Sequence, residues 1–202
     1  MNLTSKDAIG RKHDRGIVVR HRTAPGYGGV AKSLHWFMAL LLLGMLALGL
    51  YMHDLPLSPD KLELFSWHKW GGVTLFLLVL VRLAWRLAHR PPPLPLAMPP
   101  AQAFAAHAGH ALLYVLMLAI PLSGWLMSSA KGFQTVWFGI LPIPDLLERD
   151  KALGALLTQV HEMLNVAFMV LLAVHIGAAL KHHFIDRDDI LQRMLPRHSK
   201  EN

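Results

Sequence analysis

Four separate stretches of this chain are apolar over the length a helix needs to cross a bilayer, which removes most soluble folds from consideration. A helix needs about 20 mostly apolar residues to span roughly 30 Å of hydrocarbon. The expected spans are 34–52, 64–87, 104–127 and 156–180. The first is clear, because its core, LLLLGMLALGLY, carries no charge. The second is the weakest: only Trp70 to Val81, 12 residues, is charge-free. It reaches full length if Lys69 and Arg82 snorkel or face a polar interior. Backbone polar groups in hydrocarbon must be satisfied internally, which helices do within one segment. The expected fold is therefore an all-α, integral membrane four-helix bundle. A composition that is 53% apolar over 202 residues agrees with it.

The net charge of +7 could indicate a nucleic-acid partner, but its placement argues otherwise. Seven Lys and Arg precede the first span, three lie around the connection between spans two and three, and five follow the fourth. Only Lys61, Lys69, Lys131, Arg149 and Lys151 lie toward the opposite side. The positive-inside rule then puts both termini in the cytoplasm, with membrane lipid, not nucleic acid, as the contact. Residues 1–30 read as a disordered basic cytoplasmic tail, and 31–197 as one membrane domain. The first apolar stretch follows a long polar segment and lacks a small-residue cleavage site, so a retained anchor is expected. The connection HRPPPLPLAMPP should be an extended, polyproline-like strap. DRDD should cap a short helix, ILQRML, on the membrane surface. No cysteine is present, so thiolate ligands, iron–sulfur clusters and thioether-linked haem are excluded.

Ionisable residues inside membrane spans are costly and are functional suspects by default. His35, His68, His161 and His175 each sit within an expected span. His161 and His175 are 14 residues apart, which puts them within about 40° on one helical face and roughly 21 Å apart along the axis. Helix direction levels the others. His35 begins an outward span and matches His175 near the inner leaflet. His68, near the start of an inward span, matches His161 near the outer leaflet. Two haems, each held by a pair of imidazoles from facing helices, account for this arrangement.

Arg82 and Arg86 follow His68 by 14 and 18 residues, so all three share a face. The two guanidinium groups would lie near the inner pair, where they could bind haem propionates or snorkel to headgroups. Gly71 and Gly72 could let a flat macrocycle approach the backbone, or serve helix packing. His107 and His110, in HAGH, share a face and are open to three readings: a metal pair, extra haem contacts or quinone neighbours. His182, seven residues after His175, could donate to a propionate or a quinone carbonyl, or be an interfacial histidine.

The motifs LHW at His35, WHKWGG at His68, VRLAWRL at Arg82 and Arg86, HAGHALLY and PLSGWLM resemble the bacterial cytochrome b561 family. So do the long stretch from His161 to Phe184 and RMLPR near the tail. The resemblance runs from about Gly28 to Arg197. It implies four helices, two b-type haems with the pairing above, and electron exchange with membrane quinone in the bacterial inner membrane. One branch resembles a superoxide oxidase, passing electrons from superoxide to ubiquinone. Lys131 occupies the place of a basic residue in that branch, and His182 matches a family position near a quinone-type site. Two alternatives stand beside it. The chain could anchor a larger dehydrogenase or hydrogenase whose partner delivers electrons. It could also be a small transporter or haem- or metal-handling protein, although no broken helix or repeat pair supports this.

Overall fold

The computed structural model describes residues 26–95 and 98–195. Four long helices dominate: α1 (Gly29–His53), α2 (Pro59–Ala88), α3 (Pro100–Ala130) and α4 (Lys151–Lys181). All four are long and apolar enough to cross a membrane. The molecule is a four-helix membrane bundle. Each helix outruns its expected span at both ends, because helical hydrogen bonding continues past the apolar window. Local chemistry sets these ends. Ser58 accepts from the Lys61 N–H at 3.2 Å, with Pro59 in the first turn of α2. Asp150 accepts from the Ala152 and Leu153 N–H groups at 2.8 and 3.0 Å and starts α4.

In chain order α1 packs on α2, α2 on α3, and α3 on α4. Few side chains are fully buried, and Met38, Val79 and Phe168 are the largest apolar ones. The many exposed Leu, Val and Phe side chains face outward, as suits a bundle whose solvent is hydrocarbon.

A short hairpin follows α3 in the connection to α4. Its strands, β1 (Thr135–Trp137) and β2 (Leu141–Ile143), pair antiparallel. The turn uses left-handed backbone at Phe138 (φ 50°) and Gly139 (φ 70°). The hairpin is fastened to both neighbouring helices. From α2, Lys69 Nζ donates to the Phe133 carbonyl at 2.8 Å and Trp70 Nε1 to the Val136 carbonyl at 2.6 Å. The Trp137 indole donates to Thr74 Oγ1 at 3.2 Å, and the Trp125 indole of α3 donates to the Pro144 carbonyl at 3.0 Å. Three-residue strands carry little hydrophobic alternation, so the sequence pattern gave no warning of them.

At the other end, α4 runs into a π-helical turn (His182–Asp186) and then α5 (Ile190–Met194). The short helix is where DRDD led us to expect it, but Asp188 rather than Asp189 caps it, accepting from the Ile190 N–H at 3.0 Å. Asp189 instead pairs with Arg193 at 2.7 Å. Arg193 also donates to the Pro93 carbonyl of the proline strap at 2.6 Å. The Tyr27 N–H, Lys32 Nζ and Trp36 Nε1 donate to the carbonyls of Arg193, Leu195 and Met194. The expected boundary at residue 30 therefore falls inside α1, and residues 26–28 pack with the tail helix. The remainder of the expected tail, 1–25, lies outside the described residues, as do 196 and 197.

Candidate functional site: two histidine pairs across the bundle

Helix direction places the four singled-out histidines at two levels. His35 is in the second turn of α1 and His175 near the end of α4, both at the end of the bundle that holds α5. His68 and His161 lie toward the opposite, hairpin end. The ring centres of His35 and His175 are 6.4 Å apart. Those of His68 and His161 are 6.3 Å apart. The two pairs bridge α1 to α4 and α2 to α4, helices that do not pack closely on each other along their length. Phe168, seven residues from both His161 and His175, is buried between the two levels.

These separations can be tested against metal chemistry. An imidazole nitrogen bonded to a transition metal lies about 2 Å from it, so two rings on opposite sides of one metal have centres roughly 6 Å apart. Both pairs meet that spacing. Direct imidazole–imidazole hydrogen bonding is absent from both pairs. His68 Nδ1 is buried without a hydrogen-bond partner among the described residues. A cavity of about 60 Å³ lies between His68 and His161. Met45 and Met117 line it, and unbranched thioethers re-pack readily. The donor set and spacing fit haem iron at both levels.

The backbone near the imidazoles is stripped of side chains. A Cβ on Gly124 would sit 3.2 Å from His161 Cε1, and one on Gly49 would sit 3.3 Å from His68 Cε1. Gly71 and Gly72 divide the two roles considered for them. Gly71 packs against the Met45 side chain, whereas Gly72 lines the cavity.

The two levels differ in their polar surroundings. At the hairpin end, His161 Nδ1 lies 3.0 Å from Ser123 Oγ and 3.1 Å from the Ile120 carbonyl. At the α5 end, Arg82 Nη2 donates to His35 Nδ1 at 3.2 Å, and its Nε donates to Tyr114 Oη at 3.1 Å. Arg86 lies 5.8 Å from the Tyr114 ring centre. His110 approaches His175 with ring centres 5.5 Å apart. The shared face of His68, Arg82 and Arg86 thus delivers both arginines to the level of His35, as the spacing requires. Among the described residues, no hydrogen bond or ring contact ties His107 to this group.

His182 lies apart from both pairs. Its Nδ1 is 2.6 Å from Asp188 Oδ2 and 3.2 Å from Asp186 Oδ2, and Lys181 closes on Asp186 at 2.6 Å. Lys131 is exposed at the end of α3. Sequence reasoning missed Tyr114 and Ser123. Tyr114 follows His110 by four residues, on the same helical face, and Ser123 is a lone hydroxyl between Pro121 and Gly124 in an apolar span. Both signals were available.

Four membrane-length helices with imidazoles paired across the interior at two levels define a membrane redox bundle. The profile of the prokaryotic cytochrome b561 family matches residues 26–197, and the chain belongs to that family. Cytochrome b561 homolog 2 of Escherichia coli (strain K12) is 38% identical over 187 residues, covering 89% of this chain and 96% of the relative. Cytochrome b561 homolog 1 of the same organism is 30% identical over 171 residues, covering 81% and 93%. A Yersinia pestis protein named probable superoxide oxidase CybB is 29% identical over 127 residues, covering 62% and 71%. The family binds haem b and transfers electrons in the membrane, and this chain is a multi-pass protein of the bacterial inner membrane.

Proposed function

We propose that the chain is a dihaem cytochrome b that passes single electrons from superoxide to ubiquinone. The observation that carries the reading is the pair of near-identical imidazole separations, one at each level of the bundle. His68 and His161 would hold one haem, and His35 and His175 the other. When bound, haem b would supply reversible one-electron chemistry between these imidazole pairs. The remaining work belongs to the chain. Phe168 and its apolar neighbours keep the levels apart and dry. Arg82 and Arg86 would pair with propionate carboxylates.

The charge bias supports a cytoplasmic α5 end, which would leave the hairpin end toward the outer side. Superoxide would then arrive near His68 and His161. The relative named a probable superoxide oxidase supports this donor. Lys131, exposed at that end, would attract the anion. His182 is assigned to the quinone. Asp188 holds its Nδ1, leaving Nε2 to meet a quinone carbonyl. The reaction balances with two superoxide anions, each losing one electron and leaving as dioxygen. Ubiquinone takes both electrons and two protons to become ubiquinol.

Purified chain in liposomes containing ubiquinone should show b-type bands in reduced-minus-oxidised spectra. It should also remove superoxide at a rate that depends on the quinone. A b-type spectrum with no quinone-dependent rate would leave electron transfer intact but discard superoxide as donor. Co-purification with an iron–sulfur subunit would then favour the anchor of a larger dehydrogenase or hydrogenase.

A further inference from the structure

We infer that Ser123 is a positioning residue that fixes the His161 ring and, through it, lowers the reduction potential of the haem at the hairpin end. The inference rests on the assignment of His68 and His161 as haem ligands. Its starting point is the donor inventory around one nitrogen. The Ile120 carbonyl lies 3.1 Å from His161 Nδ1 and can only accept. Nδ1 must therefore carry the proton, which leaves the lone pair on Nε2. Ser123 Oγ donates its own hydrogen to the same Ile120 carbonyl at 2.8 Å. Its lone pair then receives the His161 Nδ1–H at 3.0 Å. The proton is shared between two acceptors that hold each other in place, and Ser123 itself is buried, with 5% of its surface exposed.

The surrounding residues serve the same ring. Gly124 leaves room for it, since a Cβ there would stand 3.2 Å from Cε1 and 3.4 Å from Nδ1. Pro121, also within α3, lacks an N–H and so frees the Met117 carbonyl one turn earlier, leaving the helical donor of the Ile120 carbonyl unaffected. His68, across the cavity, has no equivalent support at Nδ1 among the described residues. Hydrogen bonding to the distal nitrogen of a metal-bound imidazole fixes its orientation and raises its basicity. A more basic ligand favours ferric over ferrous iron, which lowers the potential.

The test is an optical redox titration of the full chain in detergent, with haem content measured alongside. His35→Ala, which keeps only the hairpin-end haem, identifies the step that belongs to it. Ser123→Ala should shift that step toward the reduced form by about twofold to tenfold, tenfold being about 59 mV for one electron. The other step should stay put. Ser123→Thr retains the hydroxyl and should restore the wild-type value. A Ser123→Ala protein that folds but loses this haem, while Ser123→Thr keeps it, also supports the role. An unmoved step in fully loaded Ser123→Ala, or a threonine variant that shifts as alanine does, overturns it. Wild-type protein with no haem sensitive to His161→Ala removes the ligand assignment itself, a failure separable from the others.

Discussion

The two histidine pairs have nearly the same separation but opposite hydrogen-bonding logic. At the hairpin end, a carbonyl forces the proton onto His161 Nδ1 and leaves Nε2 ready to donate to a metal. At the α5 end, Arg82 can only donate, so His35 Nδ1 must accept and the ring proton sits on Nε2. One site is preset for ligation. The other is not: for His35 Nε2 to bind iron as proposed, Arg82 would have to release Nδ1. A haem propionate is the natural destination for the freed guanidinium, because carboxylates pair with Arg in bidentate fashion. The contrast teaches that equal spacing does not mean equal readiness. With haem held at both levels as proposed, a slope in potential should follow: cationic Arg82 and Arg86 would stabilise a reduced haem at the α5 end, whereas the His161 anchor would favour the oxidised one at the hairpin end.

The largest expected effect is loss of one haem of two. His68→Ala or His161→Ala should remove the hairpin-end haem, and His35→Ala or His175→Ala the other, measured as pyridine hemochromogen per chain. Equal loss from all four would mean misfolding and erase the comparison. The next effect concerns order of loading. Haem titrated into haem-free protein should fill the hairpin-end site first, read by repeating the titration in the single-site variants. Preferential filling of the His35/His175 site would reverse the argument about presetting. Arg82→Gln sharpens it further. Removing one charge should lower the potential at the α5 end by the equivalent of about 1 kcal/mol, given screening near a protein surface. The hairpin-end step should not follow.

Much of this was legible in the sequence, and for a physical reason. Hydrocarbon demands long uncharged runs, and helix direction converts a residue's place in its run into depth, so four histidines could be levelled from spacing alone. Arg82 and Arg86 were legible in the same way, by sharing a face with His68. What spacing could not supply is the partner of each ring nitrogen. That Arg82 would meet His35 and Tyr114, or Ser123 meet His161, depends on rotamers and on which helices adjoin. The hairpin was hidden because its strands are too short for periodicity. The latch of α5 against residues 26–36 and Pro93 was hidden because it is built almost wholly from side-chain donors to backbone carbonyls.

The smallest effect belongs to the hairpin and asks whether its neighbourhood matters to the preset site. Trp137 donates to Thr74 Oγ1, and Thr74 itself donates to the Trp70 carbonyl at 2.8 Å. Trp70 in turn donates to Val136 beside Trp137. This loop of bonds ties the hairpin to α2 within two turns of His68. Trp137→Phe keeps the aromatic bulk and removes one neutral hydrogen bond, which contributes about 1 kcal/mol. The expected result is a small drop in the unfolding midpoint in detergent, with both haems retained. Any change in potential should be confined to the hairpin-end step, because the α5 end lies beyond the buried layer around Phe168. A shift in the other step would show that the two levels are mechanically coupled through α2, and the preset site could no longer be treated as independent of the one that rearranges.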